Sequence, residues 1–530
     1  MVAAATPYYY LEHFESLLDY VQTLYGAMLS SSERAFLSDF GALSVSARCL
    51  YVRMCNRRGM LFRRLHYPEI ESGAVETLRR AGFVRTLSDD EIPEAIAKLT
   101  CEELGAILRA RGLPRRGKKE QLVFLVLESL PEQALAKLVR EFVALERYTE
   151  VELFKLLYFG TLDGDMAEFV VRDVGHVRTE DRSSFVPRFS TRKAVDDLRS
   201  VELAYREFRR VRDTGCQDAL WAWFEGIGLS NLDDSARPLF SRLVGRTGRI
   251  LERAGHYERA LSVYRRADEP PSRERRARVL KRLGRVDEAL AECERILANP
   301  RTVSEQAFAE DFSCRLLHGS RRRQTARFLA DSEKIRLPRT NAVEADVASS
   351  LVLKGLNAAH TENVLWRSLF VLVLWEAIYD PASVSFHTPL QRGPSDLFTP
   401  DFYLRHREAI ELELASYTPD SVRQRYAEKH GIAAPLMSWD DSLAPLIFTC
   451  LEGLDRIQVS SVLREIARDV RHHARGFPDL FVWGDSGCEF IEVKSPNDQL
   501  SAQQLHWLRF FNAVGIRARA IRVLWEDEPA

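Results

Sequence analysis

The chain has 530 residues, 46 % hydrophobic and 28 % charged, enough to bury a full core and divide into about three or four domains, which excludes disordered and collagen-like polymers. Lys plus Arg number 75 against 76 acids, and the net charge of −1 excludes polyanion binding through bulk charge while leaving local patches open. The eight cysteines are never closer than six residues, so no C-x-x-C zinc or redox pair exists, and the longest apolar run, Leu369–Trp375, is far short of the roughly 18 residues of a membrane span. With no basic leader at the N-terminus, these features imply a soluble, intracellular protein with reduced thiols and no membrane partner.

Residues 1–85 read as helical, with apolar residues at helical spacing in YLEHFESLLDYVQTLY and AVETLRRAGFVR. Within them Arg48, Arg53, Arg57, Arg58, Arg63 and Arg64 fall in 17 residues without an acid, interleaved with apolar and aromatic residues. That mixture suits a surface that docks on phosphates, so the segment is expected to be a helical DNA-binding region; an ordinary helical bundle is the alternative. A second basic block holds Arg109, Arg111, Arg115, Arg116, Lys118 and Lys119 in 11 residues. It lies in LTCEELGAILRARGLPRRGKKEQLVFLVLE, where Thr100 and Glu103 predict a capping box, Leu104, Ile107 and Leu108 a buried stripe, and Gly112-Leu113-Pro114 a stop. A second helix from Lys118 turns Leu122, Leu125 and Val126 toward the first. The helix, R-G-L-P-x-x-G-x-K, helix pattern resembles the SAP motif, a small DNA-binding module, here placed in 90–140.

From 146 to 340 the chain is helical and repetitive. ILERAGHYERALSVYRRA and VLKRLGRVDEALAECERI align with Gly255 over Gly284, Ala260 over Ala289 and Leu261 over Leu290, a period of 29. Small residues at these points are expected to let paired helices pack closely, as in a shortened tetratricopeptide solenoid whose other helices cap the stack. Two further basic runs, Arg273–Arg285 and Arg321–Arg327, lie here, each readable as a solvated helix face or a phosphate grip.

Residues 341–530 change character. A long apolar helix over about 362–379 leads into a Pro- and Gly-containing loop, and strands then appear at PDLFVWG, CEFIEVK and ARAIRVLW, with the helix SAQQLHWLRFFNAVG between the last two. Gly484 to Gly487 predict a hairpin turn, and Ser501 with Gln504 a capping box. Along CEFIEVK, Phe490, Glu492 and Lys494 share one face and Ile491 and Val493 the other. Asp479 at the start of the preceding strand can converge on them. Two carboxylates and a backbone carbonyl are the hard oxygen donors that Mg2+ or Mn2+ prefers, and an ammonium beside them can stabilise charge developing on a phosphate. A surface Glu and Lys on a strand edge is the plain alternative, and the upstream Pro478-Asp479, the hairpin and the strand-helix-strand sequel weigh against it.

The spacing P-D, then E-x-K, is that of the PD-(D/E)-x-K nucleases, and GFPDLFVWGDSGCEFIEVKSPNDQLSAQQLHWL resembles their VRR-NUC branch. The order of basic N-terminal region, SAP-like module, tetratricopeptide-like helices and C-terminal VRR-NUC domain resembles the Fanconi-anaemia-associated nuclease family along nearly the whole chain, and MAEFVVRDVGHVR adds a further similar segment. The resemblance implies a multidomain, mainly α protein with a C-terminal α/β nuclease domain. It implies Mg2+ or Mn2+ held by Glu362, Asp479, Glu492 and the carbonyl of Val493, with Lys494 catalytic and Gln504 matching the family's helix glutamine. For Glu362, in HTENVLWRSLF, the competitor is Glu376, 14 residues on in the same expected helix. Position at a helix N-terminus favours Glu362. His472 and His473 are expected on the surface.

The implied activity is 5′-flap endonuclease and 5′ to 3′ exonuclease in interstrand crosslink repair, acting on branched or flapped duplex DNA, with Arg53, Arg57, Arg58, Arg63, Arg64, Arg111, Arg115, Arg116, Lys118 and Lys119 as DNA-binding candidates. A four-way-junction resolvase and a noncatalytic DNA-binding scaffold are the rivals. No Cys/His set builds the ubiquitin-binding zinc finger of eukaryotic members, so a bacterial member is expected, nucleoid-associated in the cytoplasm and monomeric; a eukaryotic one would be nuclear.

Overall fold

In the computed structural model the described residues are 8–63, 65, 67–113, 117–169, 178–180, 185–319, 323–380, 382 and 385–527. They fall into two compact units, one within 1–176 and 187–195, the other within 177–186 and 196–530.

The first unit is helical with a small sheet. The helices Tyr9–Tyr25, Ser31–Gly41 and Val45–Cys55 bury Phe14, Phe36, Phe40 and Tyr51, which pack edge-on and stacked with Phe83. Three short strands, β1 (Leu61–Phe62), β2 (Val84–Arg85) and β3 (Val143–Leu145), pair antiparallel in the order β1-β3-β2, an addition to the all-helical expectation. Two- and three-residue strands carry too little alternation to be read from sequence. Between β2 and β3 lies the expected helical hairpin, Cys101–Arg109 and Lys119–Ser129. The Thr100–Glu103 capping box is formed, and Leu104 and Leu108 bury against Leu122 and Val126, with Ile107 and Leu125 half-buried beside them. Gly112 ends the first helix at φ +68°, where a side chain is strained. Pro114, Arg115 and Arg116 lie outside the described residues, as does Arg64.

In the second unit the period of 29 is structural. Helices Arg237–Arg253 and Tyr257–Tyr264 are followed by Ser272–Arg282 and Val286–Ala298. The turns match bond for bond: His256 N–H donates to the Leu251 carbonyl and Arg285 N–H to that of Leu280, each at 2.9 Å. Gly255 and Gly284 sit at φ +86° and +77° with open space around an added Cβ, so they serve the turn and not, as expected from sequence, close helix packing. Close packing falls to buried Ala260 and Ala289 and to Gly248, where a Cβ would lie 2.4 Å from the Tyr264 ring. The third basic run divides: Lys281 and Arg282 are exposed, but two of its arginines are neither a solvated face nor a free grip. Arg273 and Arg276 are 5 % and 2 % exposed. Arg273 binds Glu305 and the carbonyls of Arg295 and Asn299, and Arg276 binds Asp268, Glu292 and the carbonyls of Tyr264 and Ala267. Both rivet one helix pair to its neighbours. Of the fourth run, Arg321 and Arg322 lie outside the described residues.

The C-terminal sheet has five strands in the order β4-β8-β7-β6-β5: β4 (Glu333–Leu337), β5 (Asn357–His360), β6 (Leu480–Gly484), β7 (Gly487–Lys494) and β8 (Arg517–Trp525). Pairing is antiparallel at β5/β6 and β6/β7 and parallel at β7/β8 and β4/β8. The hairpin and β8 are as read from the sequence; β4 and β5 are additional, and β4 lies before the expected boundary at 341. Its sequence, EKIRL, is a charged, half-exposed edge, and β5 is Asn-Ala-Ala-His, so neither carries the hydrophobic signal of a strand. One face packs Leu480, Val482, Ile491 and Val493 on the helix Val343–Leu353. The other packs Phe481 and Phe490 on Trp366, Trp507 and Phe511 from the helices Val364–Val373 and Ala502–Ala513. The expected helix over 362–379 is broken at Leu374, with a short turn of helix, Trp375–Ile378, beyond it.

Two glycine substitutions separate turn from packing in the repeats. Gly248→Ala, which drives a methyl into the Tyr264 ring, is expected to destabilise by about 1–3 kcal/mol despite its better helix propensity. Gly284→Ala, with room but at positive φ, should cost about 1–2 kcal/mol. Urea unfolding of the two variants measures both.

Candidate active site

The site forms where β5 and β7 end and β6 begins. Asp479 immediately precedes β6; its backbone carbonyl accepts from Thr361 N–H at 2.8 Å and its Oδ2 accepts from Val493 N–H at 2.8 Å. The carboxylate thus closes the ladder between β6 and β7 and is fixed by it. Alternation along β7 puts Glu492 and Lys494 on the Phe490 face, as expected. Lys494 Nζ lies 2.7 Å from Glu492 Oε1. Glu362, two residues beyond the end of β5, is exposed, and a carboxylate oxygen of Glu362, one of Asp479 and a ring nitrogen of His360 all lie within 4.8 Å of one another. Glu376 is elsewhere: it is exposed and 3.8 Å from Arg425.

Gln504 both closes its helix cap and reaches Glu492. Its Oε1 accepts from Ser501 N–H at 2.9 Å, which closes the capping box, and this orients its Nε2 to donate to Glu492 Oε1 at 2.5 Å. The helix cap and the site therefore share one amide.

Glu492 is fully buried. Burial, then the nearby Asp479 charge, push its carboxyl up to about 8 against the pull of Lys494. Burial also raises Asp479 to about 6, opposed by the Val493 amide and Lys494 and reinforced by Glu362. Burial works against the Lys494 charge, but Glu492 and Asp479 outweigh it and raise its pKa, so the ammonium stays charged. Glu492 Oε1 has two donors, whereas Oε2 is buried with no hydrogen-bond partner among the described residues. A buried carboxyl oxygen left without a partner is costly unless a cation meets it. The donor set of carboxylates with one unsatisfied oxygen therefore fits a hard divalent ion.

The surface candidates divide. Arg53 pairs with Glu69 and stacks on Tyr10 and Tyr67, and Arg63 binds Glu103 and Glu141. Arg57 and Arg58 are exposed, Arg57 over the Tyr67 ring. Arg111, Lys118 and Lys119 are exposed around the hairpin turn. His472 and His473 are not the surface residues expected. His472 is half-buried against Asp469, and His473, 12 % exposed, stacks on His506 next to Glu465. His360 is a member of the cluster to which the sequence assigns no role, and its one signal is its place two residues before Glu362.

Comparison with known proteins bears on this arrangement. The "FAN1, HTH domain" family matches residues 8–85 and the "VRR-NUC domain" family residues 416–525. A Fanconi-associated nuclease 1 homolog of Pseudomonas aeruginosa is 28 % identical across 96 % of this chain and 94 % of that protein. The crystal structure of paFAN1 bound to 2-nucleotide 5′-flap DNA with gap superposes at a TM-score of 0.83 with 27 % identity, covering 99 % of this chain and 100 % of that one. The chain belongs to the Fanconi-associated nuclease 1 family. Within that family, Fanconi-associated nuclease 1 of Homo sapiens is 35 % identical over 31 % of this chain and 17 % of its own length. Family membership makes the chain a DNA-hydrolysing enzyme of DNA repair, and no described helix is long and apolar enough to cross a membrane.

Gln504→Glu tests the shared amide. The carboxylate still accepts from Ser501 but repels Glu492, so helix content and unfolding temperature should stay near wild type. Cleavage should fall about 10- to 100-fold, the size of effect seen when a ligand's supporting hydrogen bond is lost.

Proposed function

We propose that the chain is a Mg2+- or Mn2+-dependent 5′-flap endonuclease and 5′ to 3′ exonuclease, acting in interstrand crosslink repair. The observation that carries the metal assignment is the buried, unpartnered Oε2 of Glu492 beside Asp479. The flap specificity is supported by likeness to paFAN1, whose crystal structures hold 1- and 2-nucleotide 5′-flap DNA.

In this reading Asp479, Glu362, Glu492 Oε2 and the Val493 carbonyl would hold the ion, with His360 within 4.8 Å of the Glu362 and Asp479 carboxylates. A divalent ion there supplies polarisation of the scissile phosphate and a lowered pKa for the attacking water. Lys494, held charged by Glu492 and Asp479, sets an ammonium next to the phosphate and stabilises the negative charge that builds during in-line displacement. Gln504 and Lys494 together fix Glu492 Oε1, which leaves Oε2 as the oxygen that would meet an ion. Burial of both carboxylates removes competing water.

The hairpin turn with Arg111, Lys118 and Lys119, together with Arg57 and Arg58, supplies the phosphate-binding surface, with Arg64, Arg115 and Arg116 as further candidates by sequence. Arg53 and Arg63 act instead as braces within the first unit, because their guanidinium groups already meet carboxylates. A bacterial host and nucleoid location, a monomer, and the division at 85, 90–140, 146–340 and 341–530 complete the proposal.

Asp479→Ala or Lys494→Ala should abolish Mn2+-dependent cutting of an end-labelled 5′-flap duplex while leaving the affinity for that duplex largely intact. Wild-type rates in both variants would sink the site assignment. A four-way junction in the same cleavage panel should be a poor substrate. For the surface, Lys118→Ala with Lys119→Ala should weaken binding to every duplex alike and reduce the slope of log K against log [salt] by about 2. Arg63→Ala should lower thermal stability more than it changes that slope.

A further inference from the structure

We propose that Asn363 is the positioning residue of the candidate metal site, a side chain that locks the carboxylate of Glu362 to the loop that delivers Asp479. The inference rests on the metal-dependent reading above and goes beyond it by naming what fixes Glu362, a ligand carried on an exposed turn and not on a strand.

Asn363 is the N-cap of the helix Val364–Val373, a position where asparagine ordinarily accepts a hydrogen bond from an amide of the first turn. It makes no such bond. Its Oδ1 instead crosses to the segment before β6, accepting from Gly476 N–H at 2.8 Å and from Phe477 N–H at 3.4 Å. That pairing orients Nδ2 to donate to Glu362 Oε1 at 3.0 Å. The backbone of Asn363 stands at φ +60°, ψ −31°, a sparsely populated region. An asparagine that forgoes its cap and adopts a strained backbone is being used for the bonds it makes across the gap.

Those bonds join two segments. On one side, Thr361 pairs with the Asp479 carbonyl and Glu362 follows. On the other, Gly476 and Phe477 lead within two residues into Asp479. Arg367, one helical turn on, adds a bond from its Nε to the Ala474 carbonyl. The two carboxylates that approach within 4.8 Å are thus carried by chain segments tied at Asn363, and without the amide Glu362 is free to rotate into solvent. Hydrogen bonds of this kind to a ligating carboxylate orient it and set its affinity.

The test uses the full-length protein and Mn2+ alone as probe. Asn363→Gly accommodates the backbone angle and removes the amide. Asn363→Asp keeps the acceptor for Gly476 and Phe477 but replaces the donor with a charge that repels Glu362. Calorimetric titration should show Mn2+ affinity reduced about tenfold or more in both variants, and flap cleavage should lose kcat with duplex affinity in the absence of divalent ions unchanged. Asn363→Asp should also keep the wild-type unfolding temperature, which separates loss of the donor from loss of the loop contact. Wild-type Mn2+ affinity and kcat in both variants would overturn the role of Asn363, and so would a drop in unfolding temperature with affinity unchanged. If the wild-type protein itself binds no Mn2+, the metal-site reading fails, and the positioning role with it.

Discussion

The constraint on which the C-terminal domain depends is the burial of one carboxylate. Glu492 has no exposed surface, and an isolated ionised carboxylate in such a place is costly by several kcal/mol or more. Three features of the fold answer that cost. The i, i+2 alternation of β7 brings the Lys494 ammonium to Oε1. The parallel β7/β8 pairing returns the intervening helix across the Phe490 face, so its first turn presents Gln504 to the same oxygen. The remaining oxygen is left to a cation. An apolar residue at 492 would leave the Lys494 ammonium without its buried partner and the domain without a site.

This explains which parts of the site were legible in the sequence. Asp479, Glu492, Lys494 and Gln504 are tied by local periodicity: two on one strand, one opposite it across a two-residue turn, one at a helix cap. For Asp479, Glu492 and Lys494 the relation follows from the geometry of a strand and a hairpin, so spacing places them, whereas spacing gave Gln504 its cap and resemblance its place at the site. Glu362 is different, since it arrives from β5, more than a hundred residues earlier, and β5 has no hydrophobic pattern. Its place came from family resemblance and a helix-terminus argument. The competing Glu376 lies beyond the break at Leu374, which a uniformly apolar segment does not announce, and next to Arg425. Asn363 could not have been found from sequence, because its role consists of bonds to residues 113 and 114 positions away.

The fold was legible to the extent that its elements are long. The SAP-like hairpin, the two repeat units and the β6–β7 hairpin follow from caps, periodicity and turn residues. The short strands β1, β2 and β3 and the edge strand β4 were not, because pairing with distant chain, and not local composition, makes them strands. The repeat glycines were found for an incomplete reason: a glycine one residue past a helix end and a glycine within a helix look alike in an alignment. Only the positive φ of Gly255 and Gly284, against the crowding at Gly248, tells turn from contact.

Charge shows the same division between local and distant information. The four basic runs hold 23 of the 75 cations against one acid, which suggests four phosphate-binding surfaces. The acids that neutralise some of them lie outside the runs, 8 to 78 residues away: Glu69 for Arg53, Glu103 and Glu141 for Arg63, Glu305 for Arg273, Asp268 and Glu292 for Arg276. Burial decides the outcome. An arginine at 2 % or 5 % exposure must be paired, and once paired it is a fixed strut between helices, with five donors that reach carbonyls and carboxylates together. An exposed lysine at a turn bears no such requirement and keeps its charge for a ligand. The exposed Lys118 and Lys119 thus keep their charge at a solvated turn, whereas the buried Arg273 and Arg276 tie neighbouring repeat helices together.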